Sequence, residues 1–313
     1  MLSHPYICTT DMTQFLHPKY WLSWLGVGFL WLVSQLPWRW QMQIGGGMGQ
    51  LLYHAIPQRR AVCLTNLGIA FPEKTATEIE AIAKAHFESL GKGLFDAAFS
   101  WWGDPKKLLK LSHINGVRHL DLALSAERPI IFLSSHFTSL EVSGSILADR
   151  LASCFVFRPH QNKLINHLSI QRREARFGKT IAKDNIRGML RMLKQGTSVW
   201  YAPDQHFQGK NHLMVPFFGI DAPTNPATSR LAKLSNASVI PIYCTRSENP
   251  DDSFGYSLHI MPALENFPSD DINDDTLLIN KIIEQQIQTH TEQYLWTHKR
   301  YKGCQINGKS IYQ

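Results

Sequence analysis

From Pro129 onward the sequence repeats one pattern: a short apolar, β-branched run, then a stretch of helical length, then another run. The runs are PIIFLSS (129–135), SCFVF (153–157), SVWYA (198–202), SVIPIYC (238–244) and YSLHIM (256–261). Helical stretches fall at 138–150, 163–177, 184–195 and 225–236, with a long one near 274–297. Strands separated by helices of that length call for crossover connections, which predicts an α/β fold with a mixed, mostly parallel central sheet flanked by helices. Upstream, Thr75 to Trp102 carries apolar residues at intervals of three and four, the period of a helix lying against that core.

The N-terminal part reads differently. Residues 20–38, YWLSWLGVGFLWLVSQLPW, contain no charge, and at ~1.5 Å per residue the run is just long enough to cross a ~30 Å hydrocarbon layer. Five of the nine tryptophans (Trp21, Trp24, Trp31, Trp38, Trp40) cluster here, as at a membrane interface. A signal peptide would have a shorter apolar region with a basic segment before it; an interfacial or buried helix stays open, because Ser23, Ser34 and Gln35 interrupt the run. The expectation is therefore an N-terminal transmembrane or membrane-associated helix. Arg39, Arg59 and Arg60 follow the run, which for a spanning helix puts the C-terminal portion in the cytoplasm. This divides the chain into an N-terminal tail (1–18), a membrane anchor with a juxtamembrane helix (19–58) and a large cytoplasmic domain (59–313). The glycines of IGGGMGQLLYHAIP (44–57) follow no strand, so they suit close packing or a bend rather than a dinucleotide.

A net charge of +7 implies an acidic partner. Much of it lies in QRREARFGK (171–179) with Lys183, Arg187, Arg191 and Lys194, which could dock anionic head groups or an acidic protein, or simply form a solvated face. No aromatic interleaving points to nucleic acid. The five cysteines (Cys8, Cys63, Cys154, Cys244, Cys304) form no spaced pair, and neither His206 nor His212 has metal-ligand spacing, so reduced thiols, no metal and no cofactor are expected. ENPDDSFG (248–255) reads as a surface turn.

His136 falls at the carboxyl end of the first run, where open α/β sheets place their ligands. Thr138 and Glu141 follow as T-x-x-E, a capping box in which Glu141 only closes a helix start. Alternatively the Glu141 carboxylate reaches back to the imidazole, fixes its tautomer and frees the other ring nitrogen as a general base. Ser134, Ser135 or Ser139 could complete a hydrolase triad, but no G-x-S-x-G elbow marks one. A His-Glu pair without its own nucleophile suits acyl transfer to a substrate hydroxyl. Arg158 follows SCFVF at another strand end, where a guanidinium could hold a phosphate or stabilise an oxyanion, or be a plain surface arginine. Asp204 follows SVWYA, in a PDQ that also makes an ordinary turn.

HFTSLE (136–141) resembles the acidic variant, H-x4-E, of the H-x4-D signature of membrane glycerolipid and lipid A acyltransferases. RRAVCLTNLGIAFPE (59–73), FRPHQN (157–162), VWYAPDQ (199–205), VPFFG (215–219), SVIPIYC and QYLWTHKRYK (293–302) resemble, in order, blocks of the lauroyl and myristoyl transferases of lipid A biosynthesis. The resemblance implies an inner-membrane enzyme with a cytoplasmic acyltransferase domain, moving a fatty acyl chain from acyl carrier protein to a hydroxyacyl chain of a lipid A precursor. It makes His136 the base and Glu141 its partner, with Arg158 and Asp204 in the substrate site. Acylation of a glycerophospholipid or another glycolipid, or a lipid-binding protein without activity, are the alternatives.

Overall fold

The computed structural model describes residues 12–248 and 255–312; residues 1–11 of the expected tail, with Cys8, and nearly all of the acidic ENPDDSFG turn lie outside them. The apolar run forms helix α1 (Trp21–Ser34), which stops because Leu36 precedes Pro37, a position that disfavours helical backbone. Pro37 then caps α2 (Trp38–Ala55). At 14 residues α1 is ~21 Å long, short of a bilayer core, and no helix among the described residues is long and apolar enough to cross a membrane. The spanning helix expected at 20–38 is thereby corrected, and the positive-inside argument has no span to orient. What α1 offers instead is an exposed apolar surface: Trp21, Leu22, Leu25, Phe29, Trp31 and Leu32 all face solvent.

Helix α3 (Pro57–Ala70) leads into α4 (Ala76–Trp102), which starts in a complete capping box: the Thr75 hydroxyl accepts from the Glu78 N–H, and the Glu78 carboxylate accepts from the Thr75 N–H. The glycine run serves close packing. A methyl group at Gly49 would run into the Phe87 carbonyl, and one at Gly91 into the backbone of Gly45 and Gly49, so α2 and α4 touch backbone to backbone. Trp38 and Met42 of α2 are buried in the same cluster as the sheet residues Phe132 and Ile240, and Cys63 and Leu67 of α3 join another. The segment after Pro37 is therefore part of the core, not an appendage.

Next come α5 (Pro105–Lys110), β1 (Ser112–Asn115), α6 (Val117–Ser125), β2 (Ile130–Leu133), α7 (Leu140–Leu147), β3 (Ser153–Phe157), α8 (Lys163–Arg176), β4 (Lys179–Ala182), α9 (Ile186–Lys194) and β5 (Ser198–Tyr201). A hairpin, β6 (Leu213–Phe217) and β7 (Ile220–Thr224), precedes α10 (Ala227–Ser235), β8 (Ser238–Ser247), β9 (Gly255–Ile260), α11 (Ile272–Thr289) and a terminal hairpin, β10 (Gln305–Ile306) and β11 (Lys309–Ser310). The main sheet runs β1-β9-β8-β2-β5-β3-β4, parallel at every contact but β8/β9. The predicted mixed, mostly parallel sheet with flanking helices is what forms. Central β2 is buried on both faces: Ile131 and Leu133 enter one apolar layer, Ile130 and Phe132 the other.

Candidate active site

Strands β2, β5 and β3 are parallel neighbours, with Leu133 beside Tyr201 and Phe155 beside Trp200. Their carboxyl ends leave the sheet on one edge, which brings His136, Asp204 and Arg158 to the same place. The segment after β2 is pinned by backbone bonds. The Ser134 N–H donates to the Tyr201 carbonyl (2.9 Å), the Thr138 N–H to the Gln293 carbonyl (2.8 Å), and the Leu295 N–H to the His136 carbonyl (3.0 Å).

The ring of His136 is held by Asp204, not by Glu141. His136 Nδ1 lies 2.7 Å from Asp204 Oδ1, and the His136 backbone N–H donates to Oδ2 at 3.0 Å. Asp204 is fully buried. Burial alone would push its carboxyl up, but the His136 charge and hydrogen bonds outweigh that and hold it below the ordinary value. Facing an ionised carboxylate, Nδ1 carries the ring proton, and in the neutral ring Nε2 keeps its lone pair. For His136 the same contest runs in reverse: burial lowers its pKa, and the Asp204 charge and hydrogen bond together raise it above that of an ordinary imidazole. The side chain remains 29% exposed and lines the cavity, and Nε2 makes no hydrogen bond among the described residues.

Glu141 has other partners. Arg173 of α8 grips it with two bonds, Nε to Oε1 and Nη2 to Oε2, each 2.7 Å, and Trp101 Nε1 donates to Oε1 at 2.6 Å. Burial pushes the Glu141 carboxyl up; the Arg173 charge and fork and the Trp101 N–H outweigh that and leave it below the usual range. The carboxylate is held toward Arg173 and Trp101, and the expected bond from Glu141 to the imidazole does not form. The expected capping box fails as well. Ser139, not Thr138, precedes α7 as its cap; its hydroxyl donates to the Cys244 carbonyl, while the Thr138 hydroxyl is bound by Ser89 and Arg246. Replacing Arg173 with methionine strands a carboxylate in an environment only 15% exposed, and is expected to cost about 3 kcal/mol of stability in urea unfolding. Adding Glu141→Gln to that variant should recover part of the loss.

A cavity opens between these groups. His136, Glu141, Arg158 and Arg173 form its polar side; Leu140, Phe155, Phe177 and Trp200 form an apolar one. Of these, Phe177 and Trp200 are buried, whereas Arg158 is exposed and makes no hydrogen bond or ion pair among the described residues. Asp204 does not line the cavity. Its expected place as a substrate ligand is corrected to a place behind the ring.

The remaining candidates divide plainly. His206 donates its backbone N–H to His298 Nε2 (3.1 Å), and both line the cavity; burial pulls His298 down to about 4 and lowers His206 as well. His212 is exposed on a loop. Within the basic stretch, Arg173 and Arg176 are used internally, on Glu141 and on the carbonyls of Trp101 and Gly103, whereas Lys179, Lys183, Arg187, Arg191 and Lys194 face solvent. Cys63, Cys154, Cys244 and Cys304 are buried free thiols, with Cys154 and Cys244 pushed up to about 12 by burial.

A family model described as bacterial lipid A biosynthesis acyltransferase matches residues 9–303. The chain is 33% identical over 300 residues to the lipid A biosynthesis palmitoleoyltransferase of Escherichia coli (strain K12), covering 96% of this chain and 97% of that protein. It is 32% identical over 291 residues to the lipid A biosynthesis lauroyltransferase of the same organism, covering 93% and 94%. Among solved structures, it is similar to the 1-acyl-sn-glycerophosphate acyltransferase of Thermotoga maritima at 12% identity, with a TM-score of 0.37 over 75% of this chain and 99% of that one.

Proposed function

Since the chain belongs to the bacterial lipid A biosynthesis acyltransferase family, we propose that it carries a fatty acyl group from acyl carrier protein to a hydroxyl on a hydroxyacyl chain of a lipid A precursor, with His136 as general base. The observation that carries the catalytic part is His136, a residue of the cavity lining whose Nδ1 is tied to buried Asp204 and whose Nε2 has no hydrogen-bond partner among the described residues. In the reaction Nε2 takes the proton of the acceptor hydroxyl as that oxygen bonds to the thioester carbonyl carbon. When the tetrahedral intermediate breaks its C–S bond, the imidazolium returns the proton to the departing thiolate. Asp204 holds the tautomer and the imidazolium charge. No acyl-enzyme is required, and the buried cysteines offer no thiolate to form one.

Glu141 enters this scheme as the anchor of Arg173 at the cavity wall rather than as the partner of the base. Exposed Arg158 suits a phosphate of the acceptor, which a guanidinium grips with two parallel bonds. Both substrates are amphiphiles, and the apolar surface of α1 suits a helix lying in the interface of the inner membrane, with the cavity on the cytoplasmic side. Mass spectrometry of lipid A from cells with and without the protein tests the reading. One acyl chain should be missing without it; an unchanged lipid A together with an altered glycerophospholipid profile would move the activity to that acceptor.

A further inference from the structure

We propose that Arg246 and Thr138 are positioning residues of the reaction: the arginine holds the loop that carries His136, and so sets where Nε2 stands in the cavity. This rests on the acyl-transfer reading above. Arg246 lies on β8 with its side chain 2% exposed, paired with the fully buried Asp96 of α4 (Nη2 to Oδ2, 2.6 Å; Nε to Oδ2, 2.9 Å). The same guanidinium donates from Nη2 to Thr138 Oγ1 at 3.1 Å and from Nη1 to Ser89 Oγ at 3.3 Å, and those two hydroxyls are 2.7 Å apart. The backbone of Arg246 also acts on Thr138. Its N–H and carbonyl are clasped by the Gln293 side chain (2.8 and 2.9 Å), and the Gln293 carbonyl accepts the Thr138 N–H.

One arginine therefore fixes both the side chain and, through Gln293, the main chain of a residue two positions from the base. The cluster extends further: Asp96 Oδ1 accepts from the Tyr256 hydroxyl (2.7 Å), which accepts from Trp38 Nε1 (2.9 Å). A buried ion pair is a poor source of stability, since desolvating two charges roughly cancels their attraction, whereas its geometry is demanding. The Thr138 hydroxyl caps no helix and is spent wholly on this array. The fit is also tight on the far side, where a methyl group on Gly93 of α4 would strike the Thr138 carbonyl. An array this closely packed does little for the stability of α7 and much for the placement of the segment before it. Displacements of about 1 Å in a reacting group cost on the order of 10²-fold in rate.

Steady-state kinetics of full-length Thr138→Val and Thr138→Ser, with acyl-acyl carrier protein and the lipid A precursor, test the assignment. Thr138→Val should lose roughly 10- to 100-fold in kcat, with KM for both substrates within about two-fold of the parent. Thr138→Ser, which restores the hydroxyl, should recover most of the rate. An unchanged kcat in Thr138→Val, or a serine variant as impaired as the valine one, overturns the proposal. If valine prevents folding, Thr138→Ala takes its place, and parental kcat there overturns it equally. His136→Ala run alongside separates the two levels: transfer retained without the imidazole sinks the reaction itself, whereas an inactive His136→Ala beside a fully active Thr138→Val sinks only the role given to Arg246.

Discussion

Replacing His136 with alanine should lower acyl transfer by roughly 10³-fold, the contribution of a positioned general base. The loss should fall on kcat more than on KM, because the proton is taken only as the hydroxyl attacks and the rest of the cavity wall is untouched. Asp204 loses its imidazole partner in this variant but keeps the backbone N–H of residue 136. Without the imidazole, burial pushes its carboxyl up and favours the protonated form over a buried charge. The fold should therefore survive, and circular dichroism should match the parent. Transfer at a tenth of the parental rate or more would remove His136 from the reaction.

The second large effect is expected at Asp204. Burial lowers the pKa of His136, and the carboxylate raises it by more than that. The base works only when neutral, so kcat/KM should climb with pH through this raised value and level off above it. In Asp204→Asn the upward contributions vanish and burial remains. The acid limb should move to lower pH while the plateau falls by about 10²- to 10⁴-fold, since the amide no longer enforces the Nδ1–H tautomer or supports the imidazolium. A plateau that falls with no movement of the limb would mean that some other group sets the pH dependence. In Glu141→Gln the limb should stay where it is, because Glu141 answers to Arg173. Those two profiles together distinguish which carboxylate the base feels.

That distinction was not legible in the chain alone. PIIFLSS is readable as a buried strand and His136 as its terminal residue, because composition and period suffice for that. The partner of His136 lies 68 positions away and arrives through the pairing of β2 with β5, a register that no local pattern encodes. T-x-x-E stands at both Thr75 and Thr138 with the same local chemistry. At Thr75 the box forms because both side chains face water with nothing better to bind; at Thr138 tertiary partners outcompete it, Arg246 and Ser89 for the hydroxyl, Arg173 and Trp101 for the carboxylate. Strands β1 and β4, at the sheet edges, are no shorter than β2 and β5 but too polar to announce themselves. The apolar run at 20–38 was read through its own punctuation, for Pro37 divides it into a helix end and a helix start.

The glycine contact between α2 and α4 bears on where His136 stands. Helices in backbone contact have no side-chain layer that could let one slide on the other, so α2 is geared to α4, and α4 in turn carries the loop of His136 through Ser89 and Gly93. The glycine seam is thereby a rigid spacer between α2 and the segment that bears the base.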